Sequence, residues 1–113
     1  MGESIQIRTP DVDWREFPDA PGVRYKILRR NENGGLSLLL KFEPGAHYHA
    51  HSHPGGEEYF VLAGELDDLG KTWGSGSYIY HPPGSVHRPR SSAGCEVLVL
   101  LPEPVQVLGG EST

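Results

Sequence analysis

Turn residues cut this chain roughly every 8–12 positions. The cuts fall at Asn33-Gly34-Gly35, Glu43-Pro44-Gly45, Pro54-Gly55-Gly56, Asp67-Asp68-Leu69-Gly70 and Pro82-Pro83-Gly84. The pieces between them are short and rich in β-branched and aromatic residues: VRYKILRR (23–30), LSLLLKF (36–42), EEYFVLAGEL (57–66), then 71–73, 78–80, 86–90, 95–101 and 105–108. No piece is long enough, or has the 3.6-residue period and end caps, to be a helix. A chain punctuated in this way can bury its apolar faces as an antiparallel sandwich or barrel, and little else. In LSLLLKF, Leu36, Leu38, Leu40 and Phe42 fall in one phase and are read as the face turned to the core.

A run of 113 residues supports one core, so the expectation is a single domain over 1–113, with the barrel over about 20–108 and a loose tail at 109–113. Lys and Arg total 10 against 15 Asp and Glu, a net charge of −5 with no basic block, which argues against nucleic acid and anionic membranes as partners. No apolar run approaches a membrane span, and the start MGESIQ has no signal-peptide core and carries Gln6 where a myristoylation pattern wants Ser or Thr. The expected compartment is the cytoplasm. The lone Cys95 excludes an internal disulfide and reads as a small buried apolar residue.

The chemistry concentrates in HYHAHSH, residues 47–53. Residues two apart on a strand share a face, so one strand over 46–52 would align His47, His49, His51 and His53. Six steps at about 3.3 Å place the ends about 20 Å apart, whereas metal–nitrogen bonds are about 2.0–2.1 Å, so neighbouring pairs can share an ion and all four cannot. Carboxylates that could complete a site are Glu57 and Glu58, and a further imidazole, His87, follows the turn Pro82-Pro83-Gly84. A His-x-His pair, a carboxylate and a distant His form a standard nitrogen–oxygen ligand set. The remaining candidates read more plainly. Tyr78 and Tyr80, with Trp73 nearby, are expected in the core. His81 is expected either exposed or behind the site, and Arg88 and Arg90 either on a solvated rim or facing an anionic substrate.

These residues resemble the two signature motifs of the cupin superfamily. The first, Gly-x5-His-x-His-x3-Glu-x6-Gly, is met by Gly45, His51, His53, Glu57 and Gly64. The second, Gly-x5-Pro-x-Gly-x2-His-x3-Asn, is met by Gly76, Pro82, Gly84 and His87, with Ser91 in the Asn place. The stretch from His51 to Val99, with PGVRYKIL before it, is similar to the ChrR-like cupins, a group that includes anti-sigma factor cupin domains and acetylacetone-cleaving dioxygenases. The resemblance implies an all-β double-stranded β-helix, the cupin jelly-roll barrel. It also implies one divalent metal ion (Fe, Zn, Mn or Ni) held by His51, His53, Glu57 and His87, with Glu58 the competing carboxylate. His49, Glu58 and Tyr59 are then candidates for the pocket or for supporting the ligands. The implied function is a metal-dependent oxygenase acting on a small molecule such as a diketone or hydroxy-ketone. The alternative is a non-catalytic zinc or small-molecule binding module. Isomerase, decarboxylase or lyase chemistry would need a base from Tyr59, Glu58 or His49. Anti-sigma activity does not carry over, since the chain has no His–Cys–Cys cluster for the second zinc module. Small cupins commonly dimerise by pairing or swapping an N-terminal strand, so the resemblance implies a homodimer, with residues 4–10 the candidate strand.

Overall fold

The computed structural model describes residues 2–107, so the expected tail at 109–113 lies outside it. Twelve strands follow one short 3-10 turn at Thr9–Asp11. They are β1 (Arg15–Glu16), β2 (Val23–Arg30), β3 (Leu36–Phe42), β4 (Ala46–His47), β5 (His51–His53), β6 (Glu57–Asp68), β7 (Lys71–Gly74), β8 (Tyr78–His81), β9 (Ser85–His87), β10 (Arg90–Ser91), β11 (Cys95–Leu101) and β12 (Gln106–Val107). Every pairing is antiparallel. The larger sheet runs β1-β2-β3-β11-β6-β10-β4, with β7 and β8 also on β6, and the smaller runs β12-β5-β9. The chain folds as the jelly-roll expected. No helix among the described residues is long and apolar enough to cross a membrane.

The core lies between the sheets. Leu38, Phe42, Tyr59, Val61, Val97 and Val99 are buried there, and Leu36 and Leu40 pack against them, as their phase in β3 predicts. Cys95 is buried with this set. Burial raises the Cys95 thiol above its usual range, so it stays a thiol, consistent with the apolar reading.

Two expectations are corrected. The histidine run is not one strand: Ala46–His47 pairs with β10 in the larger sheet, His51–His53 pairs with β9 and β12 in the smaller, and 48–50 cross between them. The break has a local cause opposite it, since Pro89 separates β9 from β10 and has no N–H for a continuous ladder; its carbonyl accepts from the Tyr48 N–H instead. His47 is therefore exposed beside Arg90, away from His51. Tyr78 and Tyr80 are not core residues but 56% and 55% exposed, because pairing of Glu57 with His81 turns Ile79 and His81 inward. Residues 4–8 form no strand among the described residues, and Ile5 and Ile7 are exposed.

Candidate metal centre

Residues from three strands converge at one end of the core. Pairing of His51 with His87 and of His53 with Ser85 lays β5 beside β9, and β6 brings Glu57 across from the larger sheet. One ligand atom from each of His51, His53, Glu57 and His87 lies within 4.8 Å of all the others, and all four residues are buried. Glu57 shares the inward phase of Tyr59 and Val61. Glu58, the competing carboxylate, is on the outer face, where it accepts a hydrogen bond from the Tyr78 hydroxyl, so it has no place in the pocket.

Hydrogen bonds on the far side of each ring fix which nitrogen faces the cluster. His51 Nδ1 is 2.7 Å from the His49 carbonyl, which can only accept, so Nδ1 carries the proton and Nε2 presents a lone pair. His87 Nδ1 is 2.9 Å from both oxygens of Asp68, so its Nε2 is likewise bare. His53 Nδ1 is 3.1 Å from Ser85 Oγ. The consequence is a clash of lone pairs. His51 Nε2 and His87 Nε2 are 3.1 Å apart, and with both protons committed elsewhere neither can donate to the other. His53 Nε2 and Glu57 Oε1 are buried without a hydrogen-bond partner. A buried group of acceptors facing one another is costly unless a cation sits among them, so these residues fit a divalent ion. Burial, followed by the neighbouring His87 and His53, lowers the His51 pKa to about 4 against the opposing pull of the His49 carbonyl. Its ring is therefore neutral at pH 7, the form that ligates.

Two supporting residues went unread in the sequence, or nearly so. Asp68, assigned there to a turn, is the buried end of β6; it receives the Tyr59 hydroxyl at 2.6 Å, His81 Nε2 at 3.1 Å and His87 Nδ1. Burial pushes its carboxyl up, but the bonds from His87 and Tyr59 outweigh that and bring it down to about 2, so it is a carboxylate. His81 is buried behind the site, one of its two expected places. Tyr59 is raised by burial and then by Asp68, so it is held as a phenol donor rather than a base. His49 contributes its backbone carbonyl to His51, while its ring Nε2 lies 3.3 Å from Asp19 Oδ2, outside the lining of the cavity described next. Arg88 and Arg90 are exposed and are not among the residues that line the cavity.

A cavity of about 110 Å³ opens beside the cluster, with His51, Glu57, His87 and Tyr59 at one end and Leu38, Phe42, Val97 and Val99 among its walls. Among the described residues, no Lys or Arg lines it. Its polar groups come from the histidines, the glutamate and two tyrosines, Tyr48 and Tyr59.

Known proteins place this architecture. A structure of an acetylacetone dioxygenase from Acinetobacter johnsonii superposes with a TM-score of 0.83, covering 100% of this chain and 82% of that one at 18% identity. One from Methylibium petroleiphilum, provisionally assigned the same activity, gives a TM-score of 0.91 over 100% of this chain and 86% of that one at 22% identity. At such identities the likeness shows the fold. A dimethylsulfoniopropionate lyase, DddQ, from Ruegeria pomeroyi is 38% identical over 62 residues, 50% of this chain. The matched stretch spans only 31% of that lyase. The profile of the ChrR cupin-like domain matches residues 3–105, nearly the whole described chain, and the chain belongs to that family.

Proposed function

We propose that His51, His53, Glu57 and His87 hold one divalent ion and that the protein is a metal-dependent oxygenase acting on a small, uncharged molecule with two chelating oxygens, such as a β-diketone or hydroxy-ketone. One observation carries the reading: four converging donors, two of them buried without partners, stand at the end of an apolar cavity. The likeness to acetylacetone dioxygenases supports the oxygenase class.

A bound ion would supply Lewis acidity to two substrate oxygens and, as iron(II), a redox-active centre through which the substrate's own electrons could reach dioxygen. Three neutral imidazoles and one carboxylate leave a divalent ion a net charge of about +1, enough to favour the enolate of a diketone over its neutral form. The apolar walls exclude water and strengthen that attraction. Tyr59, fixed as a donor to Asp68, closes the polar end of the cavity and does not take up the substrate proton. With no Lys or Arg among the described residues of the lining, a carboxylate or phosphate held away from the ion, against the apolar walls, would be unpaired, which is costly. That counts against a substrate with an anionic group remote from its chelating oxygens.

Iron(II)-loaded protein should consume about one dioxygen per diketone cleaved when offered small neutral β-diketones in an oxygen electrode, and should leave untouched analogues that carry a carboxylate remote from the diketone. Flat traces with iron, manganese and nickel alike would sink the reading.

A second reading has one observation in its favour. Four protein donors already complete the tetrahedron that zinc prefers, which would make the chain a non-catalytic zinc or small-molecule binding module.

A further inference from the structure

The three imidazoles of the cluster have unequal backing. His51 leans on a backbone carbonyl, His53 on a serine hydroxyl, and His87 on the Asp68 carboxylate. Asp68 is 3% exposed, and the hydrogen-bond partners of its carboxylate among the described residues are two imidazoles and a phenol, with no Lys or Arg. A buried carboxylate in such company places its charge on what it accepts from. His87 Nδ1 stands equidistant, 2.9 Å, from both carboxylate oxygens, while Tyr59 and His81 hold Oδ2 from the other side and keep the carboxylate from turning.

Asp68, His81 and His87 also form a compact group of potential metal donors in their own right. The geometry argues against an ion there. The Asp68 oxygens, His81 Nε2 and His87 Nδ1 meet at hydrogen-bond distances, and none of these atoms is among the buried groups left without partners. Of the three buried atoms without hydrogen-bond partners, His53 Nε2 and Glu57 Oε1 belong to the other group, and His49 Nε2, 3.3 Å from Asp19 Oδ2, belongs to neither. One cluster is complete without a metal and the other is not.

We infer that Asp68 is a positioning residue for the metal centre: it locks His87 in the tautomer that presents Nε2 and makes His87 the strongest donor of the three, with Tyr59 and His81 as its clamps. The inference rests on the proposal that the neighbouring four residues hold the ion. A carboxylate behind a ligating imidazole raises the basicity of the nitrogen that binds, and losing such a partner typically weakens metal affinity about 10–100-fold. A carbonyl or hydroxyl is a weaker acceptor, so His51 and His53 are held in orientation without the same electronic gain.

Cobalt(II) is the probe, because it fits tetrahedral and octahedral sites alike and shifts the proton resonances of its ligands. Wild-type protein loaded with cobalt should show exchangeable imidazole N–H resonances from the ligating histidines. Asp68→Asn, which keeps the side chain's shape, should bind cobalt about 10–100-fold more weakly against a competing chelator, and so should Asp68→Ala. Only the N–H resonance of His87 should move or vanish in either variant. If neither variant folds, Tyr59→Phe serves in their place: it removes one clamp, leaves the carboxylate, and should shift the His87 resonance alone. Folded Asp68 variants that bind cobalt within twofold of wild type, with all N–H resonances unmoved, would overturn the inference, as would an unmoved His87 resonance in Tyr59→Phe. Wild-type protein that takes up no cobalt would instead defeat the underlying metal proposal.

Discussion

Protein carrying Glu57→Ala together with His87→Ala should purify without bound metal and take up none that survives a competing chelator, whereas Glu58→Ala should bind as wild type does. The contrast follows from strand phase. Glu57 and His87 are buried with their donor atoms facing His51 and His53, while Glu58 is turned outward to Tyr78. Removing a residue that merely supports a ligand costs about 10–100-fold in affinity, and removing two of four ligands should cost far more than that. Electrostatics adds to the loss, since without Glu57 no carboxylate remains in the group of four and an ion there would keep its full charge of about +2 in a buried site. Elemental analysis of the dialysed protein measures it. Full occupancy in the double variant would show that the ligands lie elsewhere.

Gly64→Ala should be the most damaging single substitution at a glycine of the two motifs, lowering stability by at least about 3 kcal/mol and Tm by roughly 12 °C. Gly64 sits at φ +74°, and a Cβ there would lie 2.1 Å from the Gly94 carbonyl oxygen and 2.8 Å from Cys95 Cα. Both obstacles are backbone, Gly94 just before the neighbouring β11 and Cys95 its first residue, so no side chain can swing aside. Gly45, another motif glycine, has φ +87° but nothing within 4 Å of a Cβ, so Gly45→Ala should cost only the conformational penalty of about 1–2 kcal/mol. Thermal unfolding of the two variants side by side checks this, and equal losses would mean that the contact with Gly94 does not constrain the sheet.

The same glycine explains what could be read in the sequence and what could not. The bounds of β2, β3 and β11 match the apolar runs at 23–30, 36–42 and 95–101, because each run is a continuous strand closed by Gly, Pro or Asn turns. The four residues of the candidate centre were legible because motif spacing counts them directly. Asp68 was not. Counting by twos from Glu57 turns odd-numbered residues inward, which would face Asp67 to the core and Asp68 to solvent. The register of β6 on β11 slips beside Ala63 and Val61, and after the slip Leu66 and Asp68 are the buried ones. One extra residue in a bulge reverses the phase of everything beyond it. The glycine at 64, next to the slip, was the available signal for a bulge.

The histidine run failed for a different reason. Its even spacing is a property of one strand, but strand pairing is decided by the partner, and Pro89 on that partner divides the run between two sheets. Tyr78 and Tyr80 were misplaced because β8 is four residues long with large side chains in both phases, so periodicity alone cannot orient it. The pairing of Glu57 with His81 decides the matter, and only the assembled sheet supplies that.

The central claim is that the ion in this site is a redox-active metal with positions open to substrate, held by His51, His53, Glu57 and His87. Metal analysis of the protein isolated from its native source tests it most directly. The account predicts about one iron, manganese or nickel ion per chain. Stoichiometric zinc, filling a closed four-donor tetrahedron, would contradict it.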